Sequence, residues 1–396
     1  MKTNIAVFFG CRSVEHEVSI ISAVQAMRSI NREKYDVTPV YVAKNGSMYA
    51  GDNLFDIENY SDINKLISEA KPVTLIREGK GIVIRFLDNK PFKKQKDIAV
   101  DLAFPIVHGT NCEDGSIAGY FEFLGLPYIS CDVISAAVGM DKAVFKDVLK
   151  SADLPVLDCI TFRAREYALN KDALTKRISE EIGYPLIIKP VNLGSSVGIS
   201  KVKNENELID AINLAFSFTD RILAEKAIED LREINCSVLG DADNCEASVC
   251  EEPIMHDEIL SYDDKYKGGG KSEGSKGMAS LGRKIPAEIS EEKANEIKAL
   301  SCDIFKAIGA SGVVRIDFLY DTKTDKVYAN EINTIPGSLA FYLWEATGLS
   351  YTDMLDRLVD IAFKRQRNRD NLTFTIETNI LSGVSFGAKG SKGAKL

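Results

Sequence analysis

The sequence predicts a mixed α/β protein with more than one domain, and three features of the chain support this. Near the N-terminus, the order strand, glycine turn, helix, strand describes a βαβ unit of a parallel sheet. Its parts are Asn4–Phe9, Gly10, Val14–Ile30 and Val37–Val42. Toward the C-terminus, two apolar runs around a polar segment predict a β-hairpin. The chain has 396 residues, too many for one compact core, so we expect two or three domains.

The turn after the first strand has the composition of a ligand-binding turn. Ser13 precedes the helical pattern and is a good N-cap candidate. Glu15 and Glu17 fall in the first helical turn, where acidic side chains complement the helix dipole. Glu15, beside His16, has a second interpretation, which is that its carboxylate holds the ammonium group of a substrate.

A second loop of interest follows the apolar strand predicted at Ile98–Val107. Its sequence, HGTNCEDG, spans residues 108–115 and lies where α/β sheets place functional groups, at the end of a buried strand. His108 in this loop is either a structural histidine or part of a site. A helix at Ser116–Leu124 and a strand at Pro127–Ile129 complete the first predicted domain, residues 1–134.

The next segment, residues 135–226, carries lysines at element boundaries. A helix at Asp141–Leu149 begins with Asp141 and Lys142, and a strand at Pro185–Lys189 ends in Lys189. The glycine- and serine-rich loop 190–200 follows and offers N–H and hydroxyl donors suited to phosphate. It lacks the P-loop pattern. With the two lysines, it predicts an anion-binding clamp.

The remaining segment, residues 227–396, contains a long polar stretch at 262–280 with Lys265 and Tyr266. A loop of this length is either disordered or an active-site lid. Strands are predicted at Arg221–Lys226 and Arg232–Val238, and helices at Glu291–Ile308 and Tyr351–Gln366.

The predicted hairpin joins strands 313–320 and 326–332 and places charged groups on one face. Because side chains on a strand alternate between faces, four polar residues can converge: Arg315, Asp317, Glu331 and Asn333. One interpretation is a Mg²⁺ site with phosphate attached, since the ion prefers hard oxygen ligands. The other is a plain ion pair on a solvated sheet. The turn at 334–337 favours the first, because it can place backbone N–H groups beside the cluster.

Composition excludes several classes of function. The net charge is −9, which argues against nucleic acid or an anionic membrane as the main partner. No apolar run approaches the roughly 20 residues needed to span a bilayer, and the N-terminus reads as a first strand, not as a signal peptide. Eight cysteines are scattered without a C-x-x-C pair, so we expect neither a zinc site nor a disulfide framework.

Six motifs in order give the chain a specific resemblance. It resembles the D-alanine–D-alanine ligase family of the ATP-grasp superfamily over residues 4–365. The motifs are FFGCRSVEHEVS, HGTNCEDGS, MDKAVFK, IIKPVNLGSSVGISKV, RIDF and NEINTIPG. The resemblance implies three domains: an N-terminal parallel-sheet βαβ domain, then a two-domain ATP-grasp fold that holds ATP between its two sheets. It also implies formation of D-alanyl-D-alanine through an acyl phosphate, for peptidoglycan synthesis in the cytoplasm, by a homodimer.

The resemblance also implies roles for individual residues of this chain. Those implied for ATP are Lys142, Lys189, Ser196, Glu225, Glu233 and Lys265. Two Mg²⁺ ions, which Mn²⁺ can replace, would bind Asp317, Glu331 and Asn333. Those implied for the amino-acid substrates and the oxyanion are Glu15, His108, Ser195, Tyr266, Arg315 and the Gly337 amide.

Two departures from the family pattern concern the substrates. The first turn reads Gly10–Cys11 where many relatives have two glycines. After Gly337 the sequence SLAFYLWEA is shorter than the usual segment that holds the second substrate's carboxylate, and Ser338 is the candidate replacement. The alternatives are therefore a D-alanine–D-serine or D-lactate ligase and, outside enzymes, an ATP-binding regulatory protein.

Overall fold

The described part of the protein folds around three β-sheets with helices packed against them. The computed structural model describes residues 2–88, 96–194, 197–254 and 282–382. The predicted lid at 262–280 and the serines at 195 and 196 lie outside these ranges. The mixed α/β composition predicted from sequence is confirmed in the described residues.

The first sheet has seven strands in the order β6-β5-β4-β3-β2-β1-β7. Strand β1 runs parallel to both β2 and β7, and the other pairs are antiparallel. The strands are β1 (Thr3–Gly10), β2 (Tyr35–Val42), β3 (Met48–Ala50), β4 (Lys71–Glu78), β5 (Gly81–Phe86), β6 (Ile98–Val100) and β7 (Leu102–Ile106). The predicted βαβ unit is therefore correct, with helix α1 (His16–Ser29) between β1 and β2.

Three details of this region differ from the sequence prediction. The single strand predicted at Ile98–Val107 is two strands, because Asp101 interrupts it and accepts hydrogen bonds from Asn4. The strand predicted at Pro127–Ile129 is a single bridge between Tyr128 and Ala103. Ser13 is not the N-cap of α1. That position belongs to Glu15, and the Ser13 hydroxyl donates to the His108 carbonyl, 2.6 Å away.

The second sheet is antiparallel, with strand order β10-β9-β11-β8. Its strands are β8 (Cys159–Arg163), β9 (Leu186–Pro190), β10 (Ser200–Val202) and β11 (Arg221–Lys226). Between α1 and the last strand of this sheet, the described part of the chain forms six further α-helices. They are α2 (Ile63–Glu69), α3 (Ser116–Leu124), α4 (Val133–Met140), α5 (Lys142–Ser151), α6 (Ala164–Glu181) and α7 (Glu205–Phe216). Asp141 caps α5 by accepting from the N–H groups of Ala143 and Val144, so Lys142 stands at the first helical position.

The third sheet is antiparallel, with strand order β14-β13-β12-β15-β16. Its strands are β12 (Leu231–Gly240), β13 (Cys245–Pro253), β14 (Arg283–Lys284), β15 (Gly312–Asp321) and β16 (Lys326–Asn333). The later helices are α8 (Glu291–Ala307), α9 (Phe341–Thr347) and α10 (Tyr351–Asp370). Strands β15 and β16 form the hairpin predicted from sequence.

The hydrophobic core of the first sheet is continued by the end of the chain. Met354, Leu355 and Leu358 of α10 pack in the same buried cluster as Phe8 and Phe104 of the first sheet. The domain boundaries at 134 and 226 remain predictions. None of the helices in the described part of the chain is both long and apolar enough to cross a bilayer, and all eight cysteines are free thiols.

Candidate active site

The charged face of the β15–β16 hairpin carries the four polar residues that the sequence predicts to converge. Arg315 lies opposite Asn333, and Asp317 lies opposite Glu331. Directly opposite residues of an antiparallel pair project to the same face. Arg315 donates to both oxygens of Asp317, at 2.6 Å from Nε and 2.7 Å from Nη2, and Asn333 Nδ2 donates to Asp317 Oδ2 at 3.2 Å. The four polar residues therefore form one cluster.

Electrostatics fix the charge of Arg315 despite its burial. Burial by itself lowers the pKa of the guanidinium, but the charge and hydrogen bonds of Asp317 more than offset this and raise the pKa well above its ordinary value. The bidentate pairing also fixes the plane of the guanidinium. Arg315 is consequently a permanent, pre-oriented cation at 9% exposure.

A β-bulge at Asn330 sets the pairing of the charged residues. Pairing steps from Asp317–Glu331 to Phe318–Ala329, so Asn330 is the extra residue. Without it, regular pairing from the turn would place Asp317 opposite Asn330 and not opposite Glu331. Asn330 Oδ1 accepts a 2.8 Å hydrogen bond from Lys189 Nζ of the second sheet.

Helix α5 and strand β9 bring to this hairpin the two lysines of the predicted clamp, Lys142 and Lys189. Lys142 Nζ lies 3.0 Å from Glu331 Oε2 and donates to the Leu193 carbonyl at 2.8 Å. Lys189 is 2.5 Å from Glu225 Oε1. The ammonium groups of Lys142 and Lys189 thus face oxygen groups of the β15–β16 hairpin, and the described part of loop 190–200 lies alongside.

Glu225 belongs to a buried network that the sequence prediction missed. Lys146 Nζ lies 2.8 Å from Glu225 Oε2 and is fully buried. Burial raises the pKa of the Glu225 carboxyl, but Lys189 and Lys146 together lower the pKa to about 2. The signal for Lys146 was its place one helical turn after Lys142 on α5, which puts both lysines on one face.

Glu15 lies where the first loop, the HGTNCEDG loop and the second-sheet loop meet. Gly109 has a φ of 78°, and a Cβ there would lie 2.8 Å from Glu15 Oε2. A Cβ on Gly194 would lie 3.4 Å from Glu15 Oε1. At Gly109 both the positive φ and the close approach to the carboxylate require glycine, whereas a Cβ at Gly194 would be in ordinary contact. Glu15 is 8% exposed, which makes its carboxylate an enclosed anion.

His108 joins helix α1 to the turn after β16. Its Nδ1 is 2.8 Å from the Ile335 carbonyl, an acceptor, so Nδ1 carries the proton. Its Nε2 therefore accepts from Ser22 Oγ at 3.0 Å, and Ser22 Oγ in turn accepts from the Ser338 N–H at 2.9 Å. Burial lowers the pKa of His108, with Glu15 opposing this shift. His108 is therefore a neutral imidazole with its single proton on Nδ1.

Glu113, in the same loop, was not singled out by the sequence prediction. Its Oε1 accepts from the Ile335 N–H at 2.9 Å, and its Oε2 accepts from the Gly109 N–H at 3.2 Å. Burial raises its pKa to about 7, although these hydrogen bonds oppose the shift. The acid-rich composition of the loop was the available signal, but it did not distinguish Glu113 from Asp114.

The turn Gly337–Ala340 is short and is held against α1. Ser338, Leu339 and Ala340 all have φ between 51° and 55°, a left-handed conformation that costs about 1–2 kcal/mol for each L-residue. The Ser338 hydroxyl donates to Gln25 Oε1 at 2.7 Å, and Ser338 is 1% exposed. Its role toward a second substrate remains a prediction, and its hydroxyl is engaged with Gln25.

The structure brings most of the predicted site residues together and leaves others apart or undescribed. Glu233 lies on β12 opposite Leu319, farther along the face that carries Asp317. Ser195, Ser196, Lys265 and Tyr266 lie outside the described residues. Within the ranges the structure describes, no group of three acidic, histidine or cysteine side chains is arranged so that it could hold a metal ion without other ligands. Asp317, Glu331 and Asn333 offer two carboxylates and one amide, a set that fits Mg²⁺ sharing its remaining positions with phosphate and water.

Two family models match the chain. The model described as D-ala D-ala ligase N-terminus matches residues 4–131, and the one described as D-ala D-ala ligase C-terminus matches residues 148–360. The D-alanine--D-alanine ligase of Thermosipho melanesiensis is 38% identical over 96% of this chain and 98% of its own length.

Solved structures agree with these matches. The D-alanine-D-alanine ligase from Coxiella burnetii is similar with a TM-score of 0.76 and 31% identity, covering 93% of this chain and 96% of that one. The VanG D-Ala:D-Ser ligase from Enterococcus faecalis is similar with a TM-score of 0.75 and 31% identity, covering 91% and 100%. The three-domain α/β fold that the resemblance implied is therefore confirmed.

Proposed function

The chain belongs to the D-alanine–D-alanine ligase family, and from that premise we propose that it joins two D-alanines to D-alanyl-D-alanine. One ATP is converted to ADP and phosphate in each cycle, and the dipeptide serves peptidoglycan synthesis. The observation that supports this most strongly is the meeting of Lys142 and Lys189 with the oxygen groups of the β15–β16 hairpin, beside the fixed cation of Arg315. Positioning and charge neutralisation are what phosphoryl transfer requires of a protein.

In the first half-reaction, a carboxylate oxygen of one D-alanine attacks the γ-phosphorus of ATP. The bond to ADP breaks, and an acyl phosphate forms. Lys142 and Lys189 hold phosphate oxygens, and Glu225 and Glu233 lie toward adenine and ribose. Glu15, enclosed between Gly109 and Gly194, holds the ammonium group of this first D-alanine, and His108 stands behind it.

Asp317, Glu331 and Asn333 are the residues that would hold the metal ion. Mg²⁺ bound there would neutralise charge on the phosphate oxygens. Lys142, which lies 3.0 Å from Glu331, exchanges this carboxylate for a phosphate oxygen when nucleotide enters. Ser195, Ser196, Lys265 and Tyr266 belong to loops that we assign to covering the nucleotide and the acyl phosphate.

In the second half-reaction, the amine of another D-alanine attacks the acyl carbon. A tetrahedral oxyanion forms, the bond to phosphate breaks, and the departing phosphate takes up the proton that the amine loses. Arg315 and the Gly337 N–H are the donors for the oxyanion, and each such donor contributes about 3 kcal/mol. Because Arg315 is already oriented by Asp317, it does not have to reorganise during the step.

The cellular setting follows from the substrates. We place the enzyme in the cytoplasm, where ATP is available, and we expect a homodimer. Sedimentation velocity at micromolar protein concentration tests the second statement, because a sedimentation coefficient typical of a 43.6 kDa monomer would contradict it.

We expect the protein to release phosphate when it is incubated with ATP, Mg²⁺ and D-alanine, and to yield D-alanyl-D-alanine by mass spectrometry. The matched control omits the amino acid, and a second control replaces D-alanine by L-alanine. Removing Mg²⁺ with a chelator should abolish release, and adding Mg²⁺ or Mn²⁺ should restore it. Phosphate release no greater than in the control without amino acid would reject the function.

A D-alanine–D-serine ligase is the second candidate. The turn after Gly337 is short, and one similar solved structure is a D-Ala:D-Ser ligase. Equal concentrations of D-alanine and D-serine, with the products separated by mass, distinguish the two. A mixed dipeptide as the main product would favour the second candidate, and D-alanyl-D-alanine as the main product would favour the first.

A further inference from the structure

A second charged cluster shares the face of the third sheet that carries Arg315 and Asp317. In the strand register, Asp317 of β15 lies opposite Asn235 of β12, and Asn235 lies opposite Glu251 of β13. Residues opposite each other project to the same face, so these side chains form a row with Asp317. Arg283 of β14 lies opposite Pro253, two residues from Glu251, and so projects to this face as well.

The cluster is ordered and almost completely buried. Arg283 Nη1 lies 3.0 Å from Glu251 Oε2, and its guanidinium stacks 4.3 Å above the ring of Tyr342. Tyr342 donates to Glu251 Oε1 at 3.0 Å. The exposure of Glu251 is 2% and that of Tyr342 is 9%. Burying an ion pair is costly unless further hydrogen bonds satisfy it, and Tyr342 supplies one of these to Glu251.

The amide of Asn235 provides an independent sign of a ligand. Its Nδ2 donates to Glu251 Oε1 at 3.1 Å. Because an ionised carboxylate only accepts hydrogen bonds, this contact fixes which end of the amide faces Glu251. The other end, Oδ1, is buried and has no hydrogen-bond partner among the described residues. A buried acceptor without a donor is rare in native proteins.

Arg283 and Asn235 lie close together, because they contact the two oxygens of one carboxylate, that of Glu251. A guanidinium carries five N–H donors and can hold Glu251 and a substrate carboxylate together. Asn235 Oδ1 can accept from an amino group on the adjacent carbon.

The short turn after β16 explains why the position beside Arg283 and Asn235 is available to the second substrate. Both donors of Ser338 are directed to α1, the N–H to Ser22 and the hydroxyl to Gln25. The chain then enters α9 directly, which brings Tyr342 over Arg283. Glu251 and Tyr342 both lie close enough to Arg315 to influence its pKa, so the cluster adjoins the oxyanion donor.

From these contacts we propose that Arg283 binds the carboxylate of the second amino acid and that Asn235 Oδ1 accepts a hydrogen bond from its amino group. Glu251 and Tyr342 are positioning residues that orient Arg283. The proposal rests on the proposed ligase function. It places the attacking amine next to Asp317 and Arg315, where the acyl carbon would be.

The test compares Arg283→Gln with wild type in steady-state ligation. We expect the KM for the second D-alanine to rise at least tenfold, while the KM values for ATP and for the first D-alanine stay within twofold. Asn235→Ser should raise the same KM by a smaller factor. The matched control is Arg232→Gln, because Arg232 forms a bidentate pair with Glu252 on the opposite face of the same strands. It should change none of the three values.

Using hydroxylamine in place of the second amino acid distinguishes a substrate-binding role of Arg283 from a structural one. It attacks the acyl carbon as an amine, releases phosphate and forms a hydroxamate, but it has no carboxylate for Arg283 to bind. Arg283→Gln should therefore form D-alanine hydroxamate at the wild-type rate. Equal losses of hydroxamate and dipeptide would overturn the proposal, because they would show that the variant damages the first half-reaction or the fold.

A further variant covers the case in which Arg283→Gln does not fold. Arg283→Lys keeps the buried positive charge beside Glu251 and loses only the planar fork, so it should fold and still raise the second KM severalfold. A second KM within twofold of wild type in a folded variant would reject the inference while leaving the ligase function intact. Absence of ligation by the wild-type protein would instead reject the function itself.

Discussion

Replacing Arg315 by alanine is expected to lower the kcat of ligation by about 100-fold or more. The guanidinium is 9% exposed and is fixed by two hydrogen bonds to Asp317 before any substrate arrives. Arg315 therefore stabilises the transition state, in which charge develops on the oxyanion, more than it stabilises the bound substrates. The KM for ATP should change much less than kcat. Single-turnover measurement of dipeptide formation with saturating substrates tests this.

Two comparisons make the result interpretable. Arg315→Lys keeps the charge but cannot donate in a bidentate geometry, so it should recover only part of the lost rate. Arg232→Ala removes an arginine from the opposite face of the same sheet and should leave kcat unchanged. Thermal unfolding by circular dichroism checks that each variant is folded. A kcat for Arg315→Ala within threefold of wild type would assign the oxyanion role to another group.

Sequence reasoning was most successful where one periodicity governs many residues. The hairpin at 313–332 was predicted because strand alternation alone sets which side chains share a face. The same alternation predicted that Arg315 and Asp317 share one face of β15 and that Glu331 and Asn333 share one face of β16. The individual pairs Arg315–Asn333 and Asp317–Glu331 were not predictable, because they depend on the bulge at Asn330, which shifts the register by one residue.

The features that sequence reasoning missed depend on contacts between distant segments. Lys146 looked like an ordinary helical lysine, and only the approach of β11 places it against Glu225. The interruption at Asp101 arises because Asn4, far away in sequence, donates to its carboxylate. The row that links Asn235, Glu251 and Arg283 exists only after three strands have paired. No local pattern encodes these relationships.

In the candidate site too, some features were predictable from the sequence and others depend on contacts between distant segments. The first-domain residues that sequence analysis marked, Glu15 and His108, do meet the second and third sheets. The protonation of His108 could not be predicted from the sequence, because the carbonyl of Ile335 and the hydroxyl of Ser22 determine it. The engagement of Ser338 with Gln25 was equally inaccessible, because it depends on how the short turn docks on α1.

Replacing Glu225 by glutamine should lower the free energy of unfolding by about 3–5 kcal/mol. Glu225 is 2% exposed and neutralises two buried lysines, Lys146 at 2.8 Å and Lys189 at 2.5 Å. Glutamine has nearly the same shape but no charge, so both ammonium groups would lose their carboxylate within the protein interior. Urea denaturation at pH 7, followed by circular dichroism, measures the loss.

The pH dependence of stability tests the electrostatic origin of that loss. The folded-state pKa of Glu225 is about 2, below its ordinary value of 4.5, and a difference of this size corresponds to about 3 kcal/mol. A lowered carboxyl pKa stabilises the folded state above the unfolded pKa, and this contribution disappears as pH falls through the folded value. The difference in stability between wild type and Glu225→Gln should therefore be constant above pH 5 and shrink from about pH 4.5 to pH 2.

An exposed ion pair serves as the matched control for this variant. Glu181 pairs with Arg177 one helical turn away on α6, and both side chains are more than half exposed. Surface pairs of this kind contribute less than about 1 kcal/mol, so Glu181→Gln should leave the unfolding curve almost unchanged. If Glu225→Gln behaved like Glu181→Gln, the two lysines would have to be neutral or solvated in the folded protein. The charged clamp for phosphate would then lose its physical basis, because Lys189 is one of its two cations.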